Sequence, residues 1–203
     1  ACGISVDDAV VIATRKQIFL LADKRSFSFV KKQINKQINL ISFDSIDSIK
    51  QILNLNNIKK LIIENDYLTF KQYDQLIKPL KVEVIKQDTK PLRIVKTKEE
   101  LEFLKKAADI AVKALEKTRR WLITDVSELE TKRYLHKKMI KYGASDMSFD
   151  LIVAFGKNTA NPHHQAGEDR LQINELVTID IGCVYKNYCS DITRTFFFGN
   201  KPS

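Results

Sequence analysis

The chain has 203 residues, of which 44% are hydrophobic and 29% charged, a balance typical of a soluble globular protein with enough apolar mass for a core. Its net charge of +9 comes from lysines spread along the sequence rather than clustered among aromatic or glycine residues, so we expect no nucleic-acid partner. The sequence has no apolar run of about 18 residues and no signal-peptide pattern, and we therefore expect a cytoplasmic protein without a membrane partner.

Residues 1–90 alternate short apolar runs with helical patterns. The predicted strands are residues 9–13 and 17–22, joined as a hairpin, followed by residues 39–43, 60–63 and 81–85. The predicted helices begin near Ser26, at residue 47 and at residue 69. Strands that alternate with helices predict an α/β domain with some parallel pairing. A polar stretch with proline at residues 87–91 predicts a linker, so we place a domain boundary near residue 90.

Residues 91–203 open with two helical patterns. Thr97 with Glu100, and Ser127 with Glu130, have the spacing of capping boxes at helix N-termini. Gly143 is placed to end the second helix. Strand patterns follow at residues 148–155, 176–182 and 188–198. This half of the chain is therefore predicted to be α+β.

The strand pattern at residues 176–182 has two different faces. Val177, Ile179 and Ile181 point to one face, whereas Asp180 points to the other. An apolar face of this kind packs against a core, and that packing specifies the strand register.

A hairpin is predicted to connect this strand to the next one. Residues 186–187 form the predicted tip, because asparagine tolerates positive φ better than most residues. With that tip, Asp180 lies opposite Thr193, and Asp191 lies on the same face of the sheet. The two aspartates are then diagonal neighbours with Cα atoms roughly 7–8 Å apart.

Two carboxylates that point to a common place repel each other unless a positive group lies between them. A divalent cation fills that role, and carboxylate oxygens favour Mn²⁺, with Co²⁺ or Zn²⁺ as alternatives when imidazole joins the ligands. The other interpretation is a pair of aspartates on a solvated sheet face, and the spacing of Asp180 and Asp191 alone does not choose between the two. The three cysteines form no CxxC pair, so we expect no thiolate zinc site.

Two adjacent histidines follow a proline in the loop after the strand that ends at Phe155. Pro162 restrains the chain, so His163 and His164 approach from a fixed direction. Neighbouring side chains do not easily serve one face, and we expect one histidine to be functional and the other peripheral. The alternative is a surface pair without a function.

Three motifs occur in order: FGKNTANPHH, LVTIDIGCVY and YCSDITRTF. Over about residues 92–199 they resemble the Xaa-Pro peptidase branch of the pita-bread metallopeptidases, and the α/β segment before them resembles the creatinase-like N-terminal domain of the same proteins. The resemblance implies a creatinase-like α/β domain over residues 1–90, with its start missing. The N-terminal part of an α+β pita-bread catalytic domain would follow over residues 91–203.

By this resemblance, Asp180 matches the first metal ligand and Asp191 matches the ligand that bridges two divalent ions. His163 matches the histidine that contacts the substrate at the scissile peptide without binding metal. His164 and Tyr188 are common companions at these positions and receive no role. The family completes its site with a later His and two later Glu, and the sequence after Asp191 contains neither. We therefore expect a chain truncated at both ends, inactive as given and a poor binder of Mn²⁺.

The resemblance implies a metal-dependent exopeptidase of the aminopeptidase P type, which hydrolyses the Xaa-Pro bond at the N-terminus of peptides through a hydroxide bound by two metal ions. Proline-containing peptides would be its substrates, and the complete protein would be a homodimer. The alternatives are a prolidase that cleaves Xaa-Pro dipeptides, a non-catalytic binding module of the same fold, and a structural or regulatory remnant. The two aspartates argue against creatinase-type hydrolysis, and residues 1–90 argue against a methionine aminopeptidase.

Overall fold

The computed structural model describes residues 9–64 and 66–199. Contacts between residues divide the chain into two compact units, of which the first ends at Ile94 and the second begins at Val95. Among the described residues, no helix combines the length and the apolar character that crossing a membrane requires.

The first unit alternates strands with helices. Its strands are β1 (Val10–Ala13), β2 (Ile18–Ala22), β3 (Ile38–Ser42), β4 (Lys60–Glu64) and β5 (Glu83–Gln87). Its helices are α1 (Lys24–Gln33), α2 (Ile46–Leu55), α3 (Phe70–Gln72) and α4 (Pro91–Ile94), with a π-helical turn at Tyr73–Ile77 and a 3₁₀ turn at Lys78–Leu80. Strands β1 and β2 pair antiparallel, whereas β2 with β3 and β4 with β5 pair parallel. The predicted α/β arrangement with parallel pairs is confirmed.

Helix α2 shows how the first unit forms its core. Ile49, Ile52 and Leu53 recur at helical spacing and therefore lie on one side of the helix. They are buried together with Leu21 of β2 and Ile63 of β4. The strands contribute the other half of this core because each presents apolar side chains to the same layer.

Two predicted elements of the first unit differ in the structure. The strand expected at residues 81–85 begins only at Glu83, because Lys81 has a left-handed φ of 52° after the 3₁₀ turn that contains Pro79. The helix expected to begin at residue 69 is α-helical only over Phe70–Gln72 before it widens into the π-helical turn.

The second unit begins with two capped helices, α5 (Lys98–Arg119) and α6 (Glu128–Lys141). Both predicted capping boxes are confirmed: the hydroxyls of Thr97 and Ser127 accept from the backbone N–H groups of Glu100 and Glu130. The two glutamate carboxylates in turn accept from the backbone N–H groups of the capping residues. Gly143 follows α6 with a φ of 105°, a conformation that favours glycine, and it ends the helix as predicted.

The strands of the second unit form two small antiparallel sheets, ordered β11-β8-β7 and β10-β9-β6. Their bounds are β6 (Asp146–Met147), β7 (Ile152–Phe155), β8 (Glu175–Ile181), β9 (Cys183–Tyr185), β10 (Tyr188–Cys189) and β11 (Ile192–Phe198). Val177, Ile179 and Ile181 of β8 are fully buried against a core that includes Ala111 of α5 and Leu135 of α6. The predicted apolar face of this strand is therefore confirmed, and it leaves the opposite face of β8 polar.

Candidate active site

The hairpin that carries both aspartates has the predicted tip. Lys186 and Asn187 have φ values of 50° and 67°, so both adopt the left-handed conformation of a tight two-residue turn. Tyr185 pairs with Tyr188 across the tip. The turn therefore sets the register of the strands that it joins.

That register continues unchanged to the two aspartates. Asp180 pairs with Thr193, as predicted, and Ile181 pairs with Ile192. One step nearer the tip, the same register sets Asp191 opposite Gly182, beside the backbone hydrogen bond from Ser190 N to Cys183 O (3.0 Å). Because directly opposed residues share a face, Asp180 and Asp191 lie on the same side of the hairpin, diagonal to each other.

Gly182 allows three chain segments to meet next to these aspartates. A Cβ atom at this position would lie 2.1 Å from the Ser190 carbonyl oxygen and 2.2 Å from Ser148 Oγ. Ser148 Oγ donates to the Ser190 carbonyl (2.8 Å), and Ser148 N donates to the Gly182 carbonyl (3.1 Å). This close approach interrupts the strands predicted at residues 148–155 and 188–198, which are regular only on either side of it.

The two aspartates differ in their surroundings. Asp180 is half-buried, and its Oδ1 accepts a hydrogen bond of 2.6 Å from Thr193 Oγ1. Asp191 is exposed. Next to them on this face, the hydroxyls of Thr178 and Thr195 lie 2.9 Å apart. The strand pair thus offers hard oxygen atoms on one face and only apolar side chains of β8 on the other.

The donor set fits part of a divalent-cation site. Carboxylate and hydroxyl oxygens suit Mn²⁺ or a similar ion, and the hydrogen bond from Thr193 orients one of the carboxylates. In residues 9–64 and 66–199, no group of three or more His, Cys, Asp or Glu side chains is gathered closely enough to hold a metal ion. Asp180 and Asp191 are therefore two ligand candidates rather than a complete ligand set.

His163 lies at the tip of the loop that connects β7 to β8. The loop begins with a 3₁₀ turn at Gly156–Ala160, and the Asn161 side chain accepts from His163 N (3.0 Å). The His163 ring is exposed, and none of the side chains in the described part of the chain bonds to it. It is not gathered with Asp180 and Asp191 into a ligand cluster.

His164 points the other way, toward a buried carboxylate that sequence reasoning missed. Glu128, the first residue of α6, is fully buried, and its Oε2 lies 2.7 Å from Nε2 of His164. Glu128 follows the capping residue Ser127, and an acidic residue in a first helical turn usually faces solvent. Nothing in the local pattern indicates that this carboxylate turns inward.

Tyr188 serves the packing of the hairpin. Its hydroxyl donates to Glu100 Oε1 (3.0 Å), and its ring packs near Phe103 of α5, with centroids 5.5 Å apart. Desolvation and this carboxylate raise the pKa of Tyr188, so the phenol stays protonated and remains a donor. These contacts fasten the hairpin tip to α5.

The two described cysteines are both free thiols on opposite sides of the hairpin. Cys183 is buried, and desolvation raises the pKa of its thiol, whereas Cys189 is exposed. The two cysteines lie on opposite faces because of the same register that separates the apolar face of the hairpin from its polar face.

The part of the chain that contains these residues matches a known family. Residues 102–203, which include the hairpin with Asp180 and Asp191 and the loop with His163, match the family described as metallopeptidase family M24. The chain therefore belongs to metallopeptidase family M24.

The relatives that this chain resembles include proteins named as Xaa-Pro peptidases. A protein of Mycoplasma genitalium, provisionally named Xaa-Pro aminopeptidase, is 35% identical over 192 residues, covering 95% of this chain and 54% of that protein. The Xaa-Pro dipeptidase from Bacillus anthracis is 34% identical with a TM-score of 0.90, covering 100% of this chain and 57% of that one. The X-Pro aminopeptidase from Thermotoga maritima is 27% identical with a TM-score of 0.89, covering 100% of this chain and 58% of the other. The chain spans about half the length of the curated relatives that it matches.

Proposed function

We propose that this chain supplies part of the active site of a metal-dependent exopeptidase, which hydrolyses the Xaa-Pro bond at the N-terminus of peptides. The observation that carries the proposal is the hairpin with Asp180 and Asp191 on one polar face, in a member of family M24. Its matched relatives bear the names Xaa-Pro aminopeptidase and Xaa-Pro dipeptidase.

Asp180 and Asp191 are the proposed ligands of two divalent ions, with Mn²⁺ favoured and Co²⁺ or Zn²⁺ as alternatives. When bound, such ions activate a water nucleophile and polarise the scissile carbonyl. Asp191 would bind both ions, as the resemblance implies. Thr193 holds the Asp180 carboxylate in one orientation, because its hydroxyl already occupies Oδ1.

His163 is the proposed contact to the substrate. Its ring is exposed, while its backbone is held by the Asn161 side chain. A histidine in that position can hydrogen-bond the peptide at the scissile bond without taking part in metal binding, as the resemblance implies.

The second candidate function is that of a prolidase, which acts on Xaa-Pro dipeptides. The solved structures that resemble this chain include both an Xaa-Pro dipeptidase and an X-Pro aminopeptidase, so the test uses both substrate classes. The proposal also includes a creatinase-like domain over residues 1–90 and the first part of a pita-bread domain over residues 91–203. We further propose that the complete protein is a homodimer. A non-catalytic module of the same fold is the outcome to be distinguished.

The test is to purify the complete gene product with Mn²⁺ and assay it on a tripeptide with proline second and on an Xaa-Pro dipeptide. Asp191→Ala is expected to abolish turnover of both, because it removes a proposed ligand of the metal ions that activate the nucleophile. Asp109→Ala, at an exposed site on α5, is the matched control and should turn over normally.

Residues 1–203 by themselves are expected to show no hydrolysis and weak Mn²⁺ binding by calorimetry, because the described residues bring no third His, Cys, Asp or Glu side chain to Asp180 and Asp191. Turnover by Asp191→Ala at the rate of the unaltered protein would refute the assignment of this residue. Absence of turnover in the unaltered gene product, with Mn²⁺ bound, would favour the non-catalytic module.

A further inference from the structure

Glu128 forms the centre of a hydrogen-bond cluster outside the two aspartates. Its Oε1 accepts from Phe155 N and from Asn158 Nδ2, both at 2.9 Å. Its Oε2 accepts from Gly167 N at 3.1 Å and lies 2.7 Å from His164 Nε2. Burying a carboxylate is unfavourable unless its oxygens are fully hydrogen-bonded, and this one has partners on both oxygens.

The partners of Glu128 come from both ends of one loop. Phe155 and Asn158 precede the tip of the loop, and Gly167 follows it. The start of α6 adds two backbone hydrogen bonds to the loop. Glu128 N donates to the Asp169 carbonyl (3.0 Å), and Leu129 N donates to the Gly167 carbonyl (2.9 Å). A single buried side chain thus closes the loop at its base.

The same cluster separates the two adjacent histidines. His164 is mostly buried, with a side-chain exposure of 16%, and its Nε2 is occupied by Glu128. His163 is exposed at the loop tip. Holding His164 inward fixes the direction of the adjacent backbone, so the His163 side chain projects from the outer side of the loop.

We infer that Glu128 is a positioning residue, which holds residues 156–169 in the conformation that presents His163 and withdraws His164. For its catalytic consequence this inference rests on the proposed function, because His163 acts on a substrate only if the protein is a peptidase. The ordering of the loop does not depend on that function. Glu128 acts through His163 and does not itself touch the substrate.

The first test is hydrogen exchange by NMR on Glu128→Gln. A glutamine can accept with only one oxygen, so its amide group must face either Phe155 N–H or Gly167 N–H, and that hydrogen bond is lost. We expect amide exchange at one of these two residues to become at least about tenfold faster. Glu168→Gln is the control, because it removes one negative charge at an exposed position of the same loop, and it should leave both exchange rates unchanged.

The second test is kinetic, on the complete gene product. Glu128→Gln should lower kcat/KM for an Xaa-Pro tripeptide by about 10- to 100-fold, the loss expected when a reacting group is displaced by a fraction of an ångström. In a His163→Ala background the same substitution should change kcat/KM by less than about twofold, because its effect passes through the missing ring. Mn²⁺ affinity should be the same in the unaltered protein, in the two single variants and in the double variant.

A pair of variants at the other end of the hydrogen bond guards against misfolding of Glu128→Gln. His164→Gln keeps a side-chain donor within reach of the carboxylate and should leave amide exchange at Phe155 and Gly167 near its original rate, whereas His164→Leu should make it faster. Unchanged exchange at Phe155 and Gly167 in both Glu128→Gln and His164→Leu would overturn the inference. If Glu128→Gln lowered kcat/KM in the His163→Ala background by the same factor as in the unaltered protein, the positioning role would be overturned. An unaltered protein without peptidase activity would defeat the proposed function and the catalytic consequence, while exchange still decides whether Glu128 orders the loop.

Discussion

Replacing Gly182 by alanine should destabilise the second unit at the point where the two aspartates are held. The added Cβ atom would lie 2.1 Å from the Ser190 carbonyl oxygen, and backbone atoms must move to relieve that contact. Ser190 directly precedes Asp191, so the same movement displaces a proposed metal ligand. The substitution therefore tests both the fold and the site.

The magnitude follows from the contacts around Gly182. Overpacking of this kind costs about 1–3 kcal/mol. The displaced serine also weakens two hydrogen bonds, from Ser148 Oγ to the Ser190 carbonyl oxygen (2.8 Å) and from Cys183 N to Ser190 Oγ (3.1 Å), at about 0.5–1.5 kcal/mol each. The free energy of unfolding should fall by about 2–6 kcal/mol, and the thermal midpoint by at least about 5 °C.

Urea unfolding of the purified protein measures the loss of stability, and calorimetry measures Mn²⁺ affinity. Gly167→Ala is the matched control, because open space surrounds its Cβ position and its backbone N–H, bonded to Glu128, is retained. We expect that control to change stability by less than about 1 kcal/mol. Equal stability of the two variants would refute the close approach at residue 182.

Three further predictions concern the site, the helix caps and the thiols. Thr193→Val removes the hydroxyl that orients Asp180 and should weaken Mn²⁺ binding by the complete gene product about 10-fold or more. Thr195→Val, on the same face, is the control and should leave the Mn²⁺ affinity unchanged. Equal Mn²⁺ affinities of the two variants in a titration would contradict the role of Thr193. Hydrogen bonds donated by the backbone N–H groups of Thr97 and Ser127 lower the pKa values of Glu100 and Glu130. The stabilisation from these two carboxylates is therefore present above their unfolded-state pKa and is lost as pH falls through their folded-state pKa values. Acid unfolding of the double variant Glu100→Gln and Glu130→Gln should therefore depend less steeply on pH, and an unchanged slope would show that these caps contribute nothing. A thiol reagent should label Cys189 in the native protein and Cys183 only after unfolding, because burial shields the latter and raises its pKa; peptide mapping that finds Cys183 labelled as fast as Cys189 would disprove this.

The parts of the site that depend on near neighbours in sequence were predictable. Alternation along β8 indicated which side chains are buried, and residues 186–187 indicated the turn. Together they place Asp180 opposite Thr193, as the structure confirms. Both capping boxes were predictable for the same reason, because each needs only residues three positions apart.

The interruptions of the strands were not predictable, because they arise from segments that are distant in the sequence. Ser148 reaches the Ser190 carbonyl only after two sheets have formed, and Gly182 matters only because that contact exists. Residues 188–198 contain no glycine or proline that marks the interruption, and they were predicted as a single strand. The π-helical turn after α3 is a similar case, since no residue pattern in that segment indicated it.

By itself, the sequence determined the α/β and α+β character of the two units, the hairpin register and the shared face of Asp180 and Asp191. Tertiary structure alone decided that Glu128 turns inward, that His164 joins it and that His163 stays exposed. The physical reason is the range of the interactions. Periodicity and turn chemistry act over a few residues, whereas burying a carboxylate requires donors such as Phe155 and Gly167 that only the folded chain brings together.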